Sequence, residues 1–476
     1  MEILCLPVSP GELPPMPNTN QTSSPASLST TSRLAYGVGD FGLAFTSGML
    51  GLLFAVFLTD VVGLRPALAG VCVLIGRVWD FINDPIIGYL SDRTRSRFGR
   101  RRPYLLYGAI PFGISFALLW WIPPIQSELG LVLYYSLAYF VFDTMVTIIF
   151  IPYVALTPEL SDQYDDRTSL TSYRMVFSLI GSMLAFVLPL RIIGEINPST
   201  ADRILLVGII FGAVTCLPFL ITFAGTRENP RNIEKVAKVP LPHAIRSALR
   251  NRPFLLSAAI YLATITGFEI SSSMIIYFFK YGLNIATGAE IFLGIMFIVS
   301  LLAVPLWNFL SRKWDKIRAY ILAMIFLAVL RLINITFTPE TPQVFLYAIV
   351  ALTGVFLSAG QVLPWAILPD SIEYDEYLTG KRHEGMFYSF MAVARKVASA
   401  VALPSVLFII DRFGYQPNAA VQPPDALFSI RAMFGILPVI LFGLGILAAA
   451  AYPLRRKDFE EVRAALADRK TGADLD

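Results

Sequence analysis

Apolar runs of about twenty residues recur along the chain from about Leu34 to Tyr452, and this recurrence constrains the fold more than any other feature. A helix of about that length crosses the hydrocarbon core of a bilayer. Charged residues make up only 15% of the 476 residues, whereas soluble proteins have roughly 25%. We therefore predict an all-α, multi-pass membrane protein. Its twelve spans are expected at about 34–62, 66–90, 103–123, 129–156, 170–193, 203–224, 253–281, 289–310, 317–337, 344–369, 385–411 and 428–453.

Arginine and lysine gather in the loops after the second, sixth, eighth, tenth and twelfth predicted spans. The intervening loops carry little more than Arg65, Arg203, Lys280 and Arg412. Because basic loops stay on the cytoplasmic side, we predict that both termini are cytoplasmic and that the protein lies in the cell (inner) membrane. The alternation of basic loops with spans also argues against nucleic acid as a partner.

Few residues of this chain suit enzymatic chemistry. Three cysteines and two histidines provide no disulfide framework, no CxxC spacing and no multi-histidine metal site. The sequence also lacks a GxxxxGK[ST] phosphate-binding loop and a nucleophile paired with a histidine base. We therefore expect neither an enzyme nor a primary pump, and we expect no cofactor.

Two proline-containing elements occur once in each half of the chain. Residues 84–93 end the second span, and a similar element at 304–313 ends the eighth. Likewise, residues 151–159 end the fourth span and residues 363–370 end the tenth. Repeated halves related by an axis along the membrane normal place a substrate site between them. We predict two pseudo-symmetric six-helix bundles at 33–224 and 253–453, a cytoplasmic linker at 225–252, a disordered N-terminal tail at 1–32 and a cytoplasmic tail at 454–476.

Three charged residues lie inside the second predicted span. Arg77, Asp80 and Asp84 stand at i, i+3 and i+7, so they share one face of a helix. A charge at membrane depth costs at least ~2.5 kcal/mol, so such groups normally face a partner or a water-filled cavity. Two carboxylates one turn apart can converge on a hard cation such as sodium, and a proton would also relieve their repulsion. We therefore predict a coupling ion, Na⁺ or H⁺.

The loop motifs point to a known group of proteins. Residues 88–93 with 99–101 resemble the loop signature of the major facilitator superfamily. Residues 80–85, 151–153 and 380–385 are similar to motifs of the glycoside–pentoside–hexuronide:cation symporter family, and also of the animal sodium-dependent lysophospholipid carriers. The resemblance implies the twelve-helix major facilitator fold and symport of a small-molecule substrate with a monovalent cation by alternating access. We expect the bilayer to be the other partner and the protein to be a monomer.

The family's cation site uses two carboxylates of helix II, a threonine of helix IV and a lysine of helix XI. The matching positions here are Asp80, Asp84, Thr147 and Lys396, with Asn83 beside them. The resemblance therefore implies a cation-binding site at these five residues, in which Asp80 and Asp84 are the Na⁺ ligands.

Two alternatives to a cation site remain open. The same charges, together with Arg77, can form a fixed ion-pair network that only holds helices together. Lys396 can also pair with Asp143 instead of the helix-II carboxylates. Cation-driven uptake that survives Asp84→Cys would contradict the cation site.

The substrate site departs from the family pattern. The two aspartates that grip the sugar in sugar-transporting members correspond to Ala44 and Phe150, and a helix-IV tryptophan corresponds to Val154. Asp40 lies one turn before Ala44, and Arg174 matches a family arginine near the sugar. The substrate-binding candidates are Asp40, Phe150, Arg174, Glu269, Gln361 and Trp365. The alternative is an interhelical hydrogen bond for the charged members and simple packing for Trp365.

The cargo has two interpretations. Arg174 with fewer acidic neighbours suits a sugar acid or other anionic glycoside, through charge pairing. An apolar wall of Ala44, Phe150 and Val154 suits an amphiphile such as a lysophospholipid, through hydrophobic burial. The resemblance favours a sugar, a glycoside or a sugar acid. A receptor or scaffold without transport is a third, remote alternative.

Charged residues near the cytoplasmic ends of the spans are predicted to form a gate. Ion pairs that bridge the two halves would close the inner side and break when it opens. The alternative is that these charges only determine topology. The gating candidates are Asp92, Arg101, Arg102, Asp370, Glu373 and Arg382.

Overall fold

The computed structural model describes residues 28–161, 163–228, 251–380 and 384–473. These residues contain helices and loops and no β-strand. Eleven helices are long and apolar enough to cross a membrane, and the 17-residue α3 is the twelfth. The twelve are α1 (Thr30–Phe54), α2 (Pro66–Arg93), α3 (Arg102–Leu118), α4 (Glu128–Ala155), α5 (Tyr164–Ile193), α6 (Ala201–Gly225), α7 (Arg252–Gly282), α8 (Ala289–Lys313), α9 (Lys316–Ile335), α10 (Gln343–Thr379), α11 (Glu384–Arg412) and α12 (Pro424–Ala450). The predicted all-α, twelve-helix architecture is confirmed.

Polar residues immediately before the helices define several of the helix starts. The side chains of Ser29, Ser127, Asn251 and Asp315 each accept a hydrogen bond from a backbone N–H in the first turn of α1, α4, α7 and α9. The first N–H groups of a helix have no partner within the helix, so a capping side chain satisfies one of them. Loops as short as the one between α8 and α9 can therefore separate two spans.

The helices pack in the same pattern in each half. In the first half α1 contacts α5 and α6, α2 contacts α4, and α3 contacts α6. In the second half α7 contacts α11 and α12, α8 contacts α10, and α9 contacts α12. Between the halves, α2 packs on α11 and α5 packs on α8, two contacts that a pseudo-two-fold axis exchanges. The predicted pair of pseudo-symmetric bundles is confirmed.

Glycines allow the closest backbone approaches inside each bundle. A Cβ on Gly113 of α3 would lie 2.4 Å from the carbonyl oxygen of Gly212 in α6. A Cβ on Gly354 of α10 would lie 2.4 Å from the carbonyl oxygen of Met296 in α8. Small residues let membrane helices approach closely enough for extensive dispersion contacts. Each bundle is therefore tightly packed within itself.

The boundaries of the two bundles remain predictions. Residues 1–27 of the predicted tail and 229–250 of the predicted linker lie outside the described residues. Helix α1 begins at Thr30, and a further helix, α13 (Arg456–Ala473), follows α12. Arg463 of α13 lies 3.7 Å from Glu373 of α10, so this C-terminal helix contacts the end of a spanning helix.

Candidate functional site

Charged groups from both bundles meet where α2 packs on α11. Lys396 of α11 lies with its Nζ 2.8 Å from Asp80 Oδ2, and it also donates a hydrogen bond to Asp84. The Thr147 hydroxyl of α4 donates to Asp84 Oδ1 at 3.3 Å. The structure thus brings together four of the five residues predicted to bind a cation, from three helices.

This cluster is partly exposed and incompletely neutralised. The side chains of Lys396, Asp80 and Asp84 are 30%, 17% and 24% exposed, so they are not sealed by the surrounding helices. When ionised, the two carboxylates and the one ammonium that are in direct contact carry a net charge of −1, and Arg77 acts electrostatically on Asp80 from outside this contact. The four carboxylate oxygens and the Thr147 hydroxyl are the type of ligand that a hard cation prefers. The arrangement can therefore accept one monovalent cation and become neutral.

Two polar residues beside the cluster stay apart from it. Asn83 is almost fully buried, and its side-chain amide donates no hydrogen bond to any described residue. It follows Asp80 by three residues but precedes Asp84 by one, which places it about 100° around the helix from Asp84. Asp143 of α4 also has a buried Oδ2 without a partner among the described residues, because Lys396 bonds Asp80 and Asp84 instead.

A second ion pair joins two residues that were predicted separately for the substrate site. Arg174 of α5 contacts Asp40 of α1 through two hydrogen bonds, Nε to Oδ2 at 3.1 Å and Nη2 to Oδ1 at 3.2 Å. The guanidinium also lies 5.0 Å from the centre of the Tyr153 ring and 5.9 Å from that of Tyr36. A planar guanidinium bordered by aromatic rings can bind a carboxylate or phosphate in two-point fashion, or donate to hydroxyl oxygens.

The remaining substrate candidates line separate parts of the protein. Phe150 of α4 is exposed, as are Gln361 and Trp365 on one face of α10. The Trp365 ring packs edge-on against Tyr261 of α7, with centroids 4.9 Å apart. Half-buried Glu269 acts electrostatically on Arg77 of α2. Among the described residues, no hydrogen bond or ring contact joins any of them to the Asp40–Arg174 pair.

The predicted gating residues pair within single halves in this structure. In the first half, Arg101 bonds Asp92 and contacts Glu159 at 3.2 Å. Arg102 donates to the backbone oxygen of Phe223 at 2.6 Å, again within the first half.

The gating residues of the second half pair in the same local way. Asp370 contacts Lys316 at 2.7 Å, and Glu373 contacts Arg463 of α13. Arg382 lies outside the described residues. In the described residues, the bridge between halves that was predicted for this side is therefore not formed, since each charge finds a nearer partner in its own half.

A bridge between the halves lies instead on the side opposite the termini. Asp60, at the end of the first span, is fully buried and accepts hydrogen bonds from Lys280 Nζ at 2.6 Å and from the Tyr281 hydroxyl at 2.6 Å. The Tyr415 hydroxyl donates to the same carboxylate, and the Asn418 amide donates to the Asp60 backbone oxygen. We refer to Asp60, Lys280, Tyr281, Tyr415 and Asn418 as the Asp60 cluster.

Other contacts reinforce this closed side. Lys280 also donates to the backbone oxygen of Ile196 at 2.8 Å, and Arg65 contacts Asp411 of the other half at 3.0 Å. Apart from these and an Arg191–Glu290 pair at 3.6 Å, the described ion pairs between the halves are those of Lys396. The molecule is therefore closed on the side opposite the termini.

Two charged residues at equivalent positions in the sequence could have indicated the Asp60 cluster, although a hydropathy profile does not detect them. Asp60 and Lys280 carry opposite charges and end the first and seventh spans, which are equivalent positions in the two halves. Both also lie in π-helical turns, Phe57–Val61 and Phe278–Gly282. Such turns are rare and occur frequently at functional sites.

Comparison with known proteins adds a family and a fold. The model of the MFS/sugar transport protein family matches residues 35–456. An uncharacterized symporter of Synechocystis sp. is 30% identical, with 95% of this chain and 99% of the relative covered. The sodium-dependent lysophosphatidylcholine symporter 1 of Xenopus tropicalis is 26% identical, with 94% and 92% covered. The isoprimeverose transporter of Lactiplantibacillus pentosus is 27% identical, with 88% of each chain covered. The crystal structure of a D-xylose-proton symporter matches 88% of this chain and 96% of its own length with a TM-score of 0.63 at 15% identity, a likeness of fold.

Proposed function

Because the chain belongs to the MFS/sugar transport protein family, we propose that it is a cation-coupled symporter that carries a small molecule across the cell (inner) membrane by alternating access. Members of this family are membrane transporters, so the protein is a multi-pass membrane transporter and not an enzyme. The observation that carries the proposal is the bridge from Lys396 of α11 to Asp80 and Asp84 of α2, which places the charge cluster between the two moving bundles.

The charge of this cluster provides the coupling. Without a cation the cluster has one excess negative charge, which resists the dehydration that accompanies closure of the cavity. A bound Na⁺ neutralises the cluster, with Asp80, Asp84 and Thr147 as its oxygen ligands, and closure then costs less. The sodium dependence of a relative supports Na⁺ as the coupling ion. A proton on one carboxylate would have the same effect on the net charge.

The closed Asp60 cluster defines the state of the cycle. With the termini on the cytoplasmic side, as the basic loops predict, the closed side is external and the structure is inward-facing. The local pairing of Arg101, Asp92 and Asp370 within single halves agrees with an open inner side. In the outward-facing state, the Asp60 cluster would separate and the inner charges would approach across the halves.

For the cargo we favour a sugar, a glycoside or a sugar acid. The Asp40–Arg174 pair beside Tyr36 and Tyr153 offers both an acceptor and a two-point donor to hydroxyl or carboxylate groups. A lysophospholipid is the second candidate, because the exposed Phe150 and its apolar neighbours Ala44 and Val154 offer a surface for an acyl chain. Relatives of each type are known.

Cation binding can be tested on the purified protein by thermal unfolding in sodium, potassium and choline salts over a range of pH. Sodium should raise the midpoint of unfolding in the wild type, and Asp84→Asn should abolish that rise. Asp143→Asn is the matched control, because it neutralises a nearby carboxylate that Lys396 does not contact, and it should keep the sodium effect. If Asp84→Asn retains full cation-driven uptake, the cluster is not a cation site and is only a structural ion-pair network.

The cargo is decided by a competition panel on protein reconstituted in liposomes. The panel should contain a neutral disaccharide, a glucuronide and lysophosphatidylcholine, each with and without sodium. Competition by the first two supports a sugar transporter, and competition by the lysolipid alone supports the second candidate. A receptor or scaffold would show neither a response to sodium nor transport of any of them.

A further inference from the structure

A buried arginine in the second bundle has no counter-charge. Arg331 of α9 is 4% exposed, and its Nε is sealed from open space. Its guanidinium donates no hydrogen bond to any described residue and has no carboxylate of the described chain within 4.0 Å. The centre of the Phe434 ring lies 4.8 Å from the guanidinium carbon. A cation–π contact contributes roughly 2 kcal/mol when desolvated, far less than the cost of burying an isolated cation.

This guanidinium borders a small cavity lined by α7, α8, α9, α10 and α12. The cavity measures about 30 Å³, and its polar lining residues are Arg331, Asn334 and Thr353. Asn334 follows Arg331 by almost one turn, is also buried, and its side-chain amide likewise has no partner among the described residues. Thr353 already donates its hydroxyl to the Ile349 backbone oxygen. Two unpaired donor groups therefore meet at one cavity.

The rest of the lining consists of apolar and aromatic side chains. Phe278, Phe279, Phe292, Phe337 and Phe434 surround the cavity. Aromatic rings have an electropositive edge, so an aromatic wall accommodates an anion better than an aliphatic one does. The nearby Arg431 differs from Arg331, because its guanidinium donates to the backbone oxygens of Phe337 and Gly282 at 3.1 and 3.4 Å.

We propose that this cavity binds a monatomic anion of the chloride type, held by the guanidinium of Arg331 and the amide of Asn334. A cavity of this size accepts one or two water-sized particles, which matches the size of a monatomic anion. A buried charge is normally paired, and an anion supplies the missing partner. The site lies inside the second bundle near the side opposite the termini, apart from both Lys396 and Arg174. The bound anion would therefore stabilise the bundle and would not be cargo.

The test uses the purified full-length protein at constant sodium concentration, with gluconate as the replacement anion and radiolabelled chloride as the probe. The wild type should bind about one chloride per chain, and bromide should displace it while gluconate and sulfate should not. Arg331→Gln should weaken binding at least about tenfold, and Arg331→Lys should retain part of it. Arg431→Gln is the control, because it removes a neighbouring arginine that already has backbone partners, and it should bind chloride like the wild type.

Three results would overturn the proposal. The first is the absence of saturable chloride binding by the wild type, which needs no variant and is unaffected if Arg331→Gln fails to fold. The second is unchanged binding by a folded Arg331→Gln or by Asn334→Leu, which fills the cavity. Displacement by sulfate as effective as that by bromide would also exclude a monatomic site.

Discussion

The Asp60 cluster predicts how one substitution shifts the balance between the closed and open external side. Asp60→Asn preserves the size of the side chain and removes its charge. The carboxylate accepts three hydrogen bonds from the other half, from Lys280, Tyr281 and Tyr415, and a fourth from the neighbouring Thr59 hydroxyl, which does not depend on the contact between the halves. A hydrogen bond to a charged group contributes ~1.5–3 kcal/mol, whereas a neutral one contributes ~1 kcal/mol.

The magnitude follows from these contacts. A loss of ~1 kcal/mol for each of the three bonds destabilises the closed state by about 3 kcal/mol relative to an open state in which water solvates the same groups. Because each 1.4 kcal/mol is a factor of ten, the externally open fraction should rise about a hundredfold.

The assay measures external access to the cavity. In a background with Cys5, Cys72 and Cys216 replaced by alanine, Phe150→Cys is labelled in intact cells by a charged, membrane-impermeant maleimide. The labelling rate is proportional to the open fraction while that fraction is small, so Asp60→Asn should raise it by about two orders of magnitude. Labelling after denaturation corrects for the amount of protein.

A matched control separates a buried bridge from a surface ion pair. Asp411→Asn breaks the contact with Arg65, whose side chain is 67% exposed. Such a pair contributes ~0–1 kcal/mol, so the rate should change less than about fivefold. A rate for Asp60→Asn that matches the wild type, or that is no greater than for Asp411→Asn, would refute the gate at Asp60.

Three further predictions concern packing, the inner charges and the second ion pair. Gly113→Ala places a Cβ 2.4 Å from a backbone oxygen of α6, so it should destabilise the protein by ~1–3 kcal/mol in thermal unfolding. Gly443→Ala is the control, because its Cβ meets open space, and its stability should stay within ~0.5 kcal/mol of the wild type. Asp92→Asn removes one of the inner charges that would approach the other half in the outward-facing state, so conformational exchange measured by single-molecule fluorescence should slow while sodium affinity at the helix-II site stays within about twofold. Arg174→Lys cannot form the two-point contact, so uptake of cargo in liposomes should fall about tenfold or more with sodium stabilisation retained.

The order and number of the helices could be predicted from the sequence because a bilayer requires long apolar segments whose backbone groups are bonded within the helix. The ends could not be predicted equally well. Helix α10 continues to Thr379, about ten residues beyond the predicted end at 369. Those last residues are polar, so hydropathy detects the membrane boundary and misses the part of the helix that projects beyond it.

The candidate site shows the same division between local pattern and long-range contact. The shared face of Asp80 and Asp84 follows from helix geometry, and the family resemblance supplied Lys396. The pairing of Asp40 with Arg174 depends on the packing of α1 against α5, about 130 residues apart in sequence. The hydrophobic periodicity of a sequence carries no information about such a contact. The bridge from Asp60 to Lys280 could not be predicted from periodicity for the same reason.

Lys396 has a consequence for ion release. Its ammonium is tethered to the same cavity as Asp80 and Asp84, so its effective concentration there is of the order of millimolar or higher regardless of the surrounding solution. A sodium ion at these carboxylates competes with this tethered cation, and its apparent affinity is lowered accordingly. When sodium dissociates into a compartment where its concentration is low, the ammonium returns to the carboxylates. The two negative charges are therefore not left without a nearby cation. The lysine thus makes the site weaker and, for a carrier, more readily reversible.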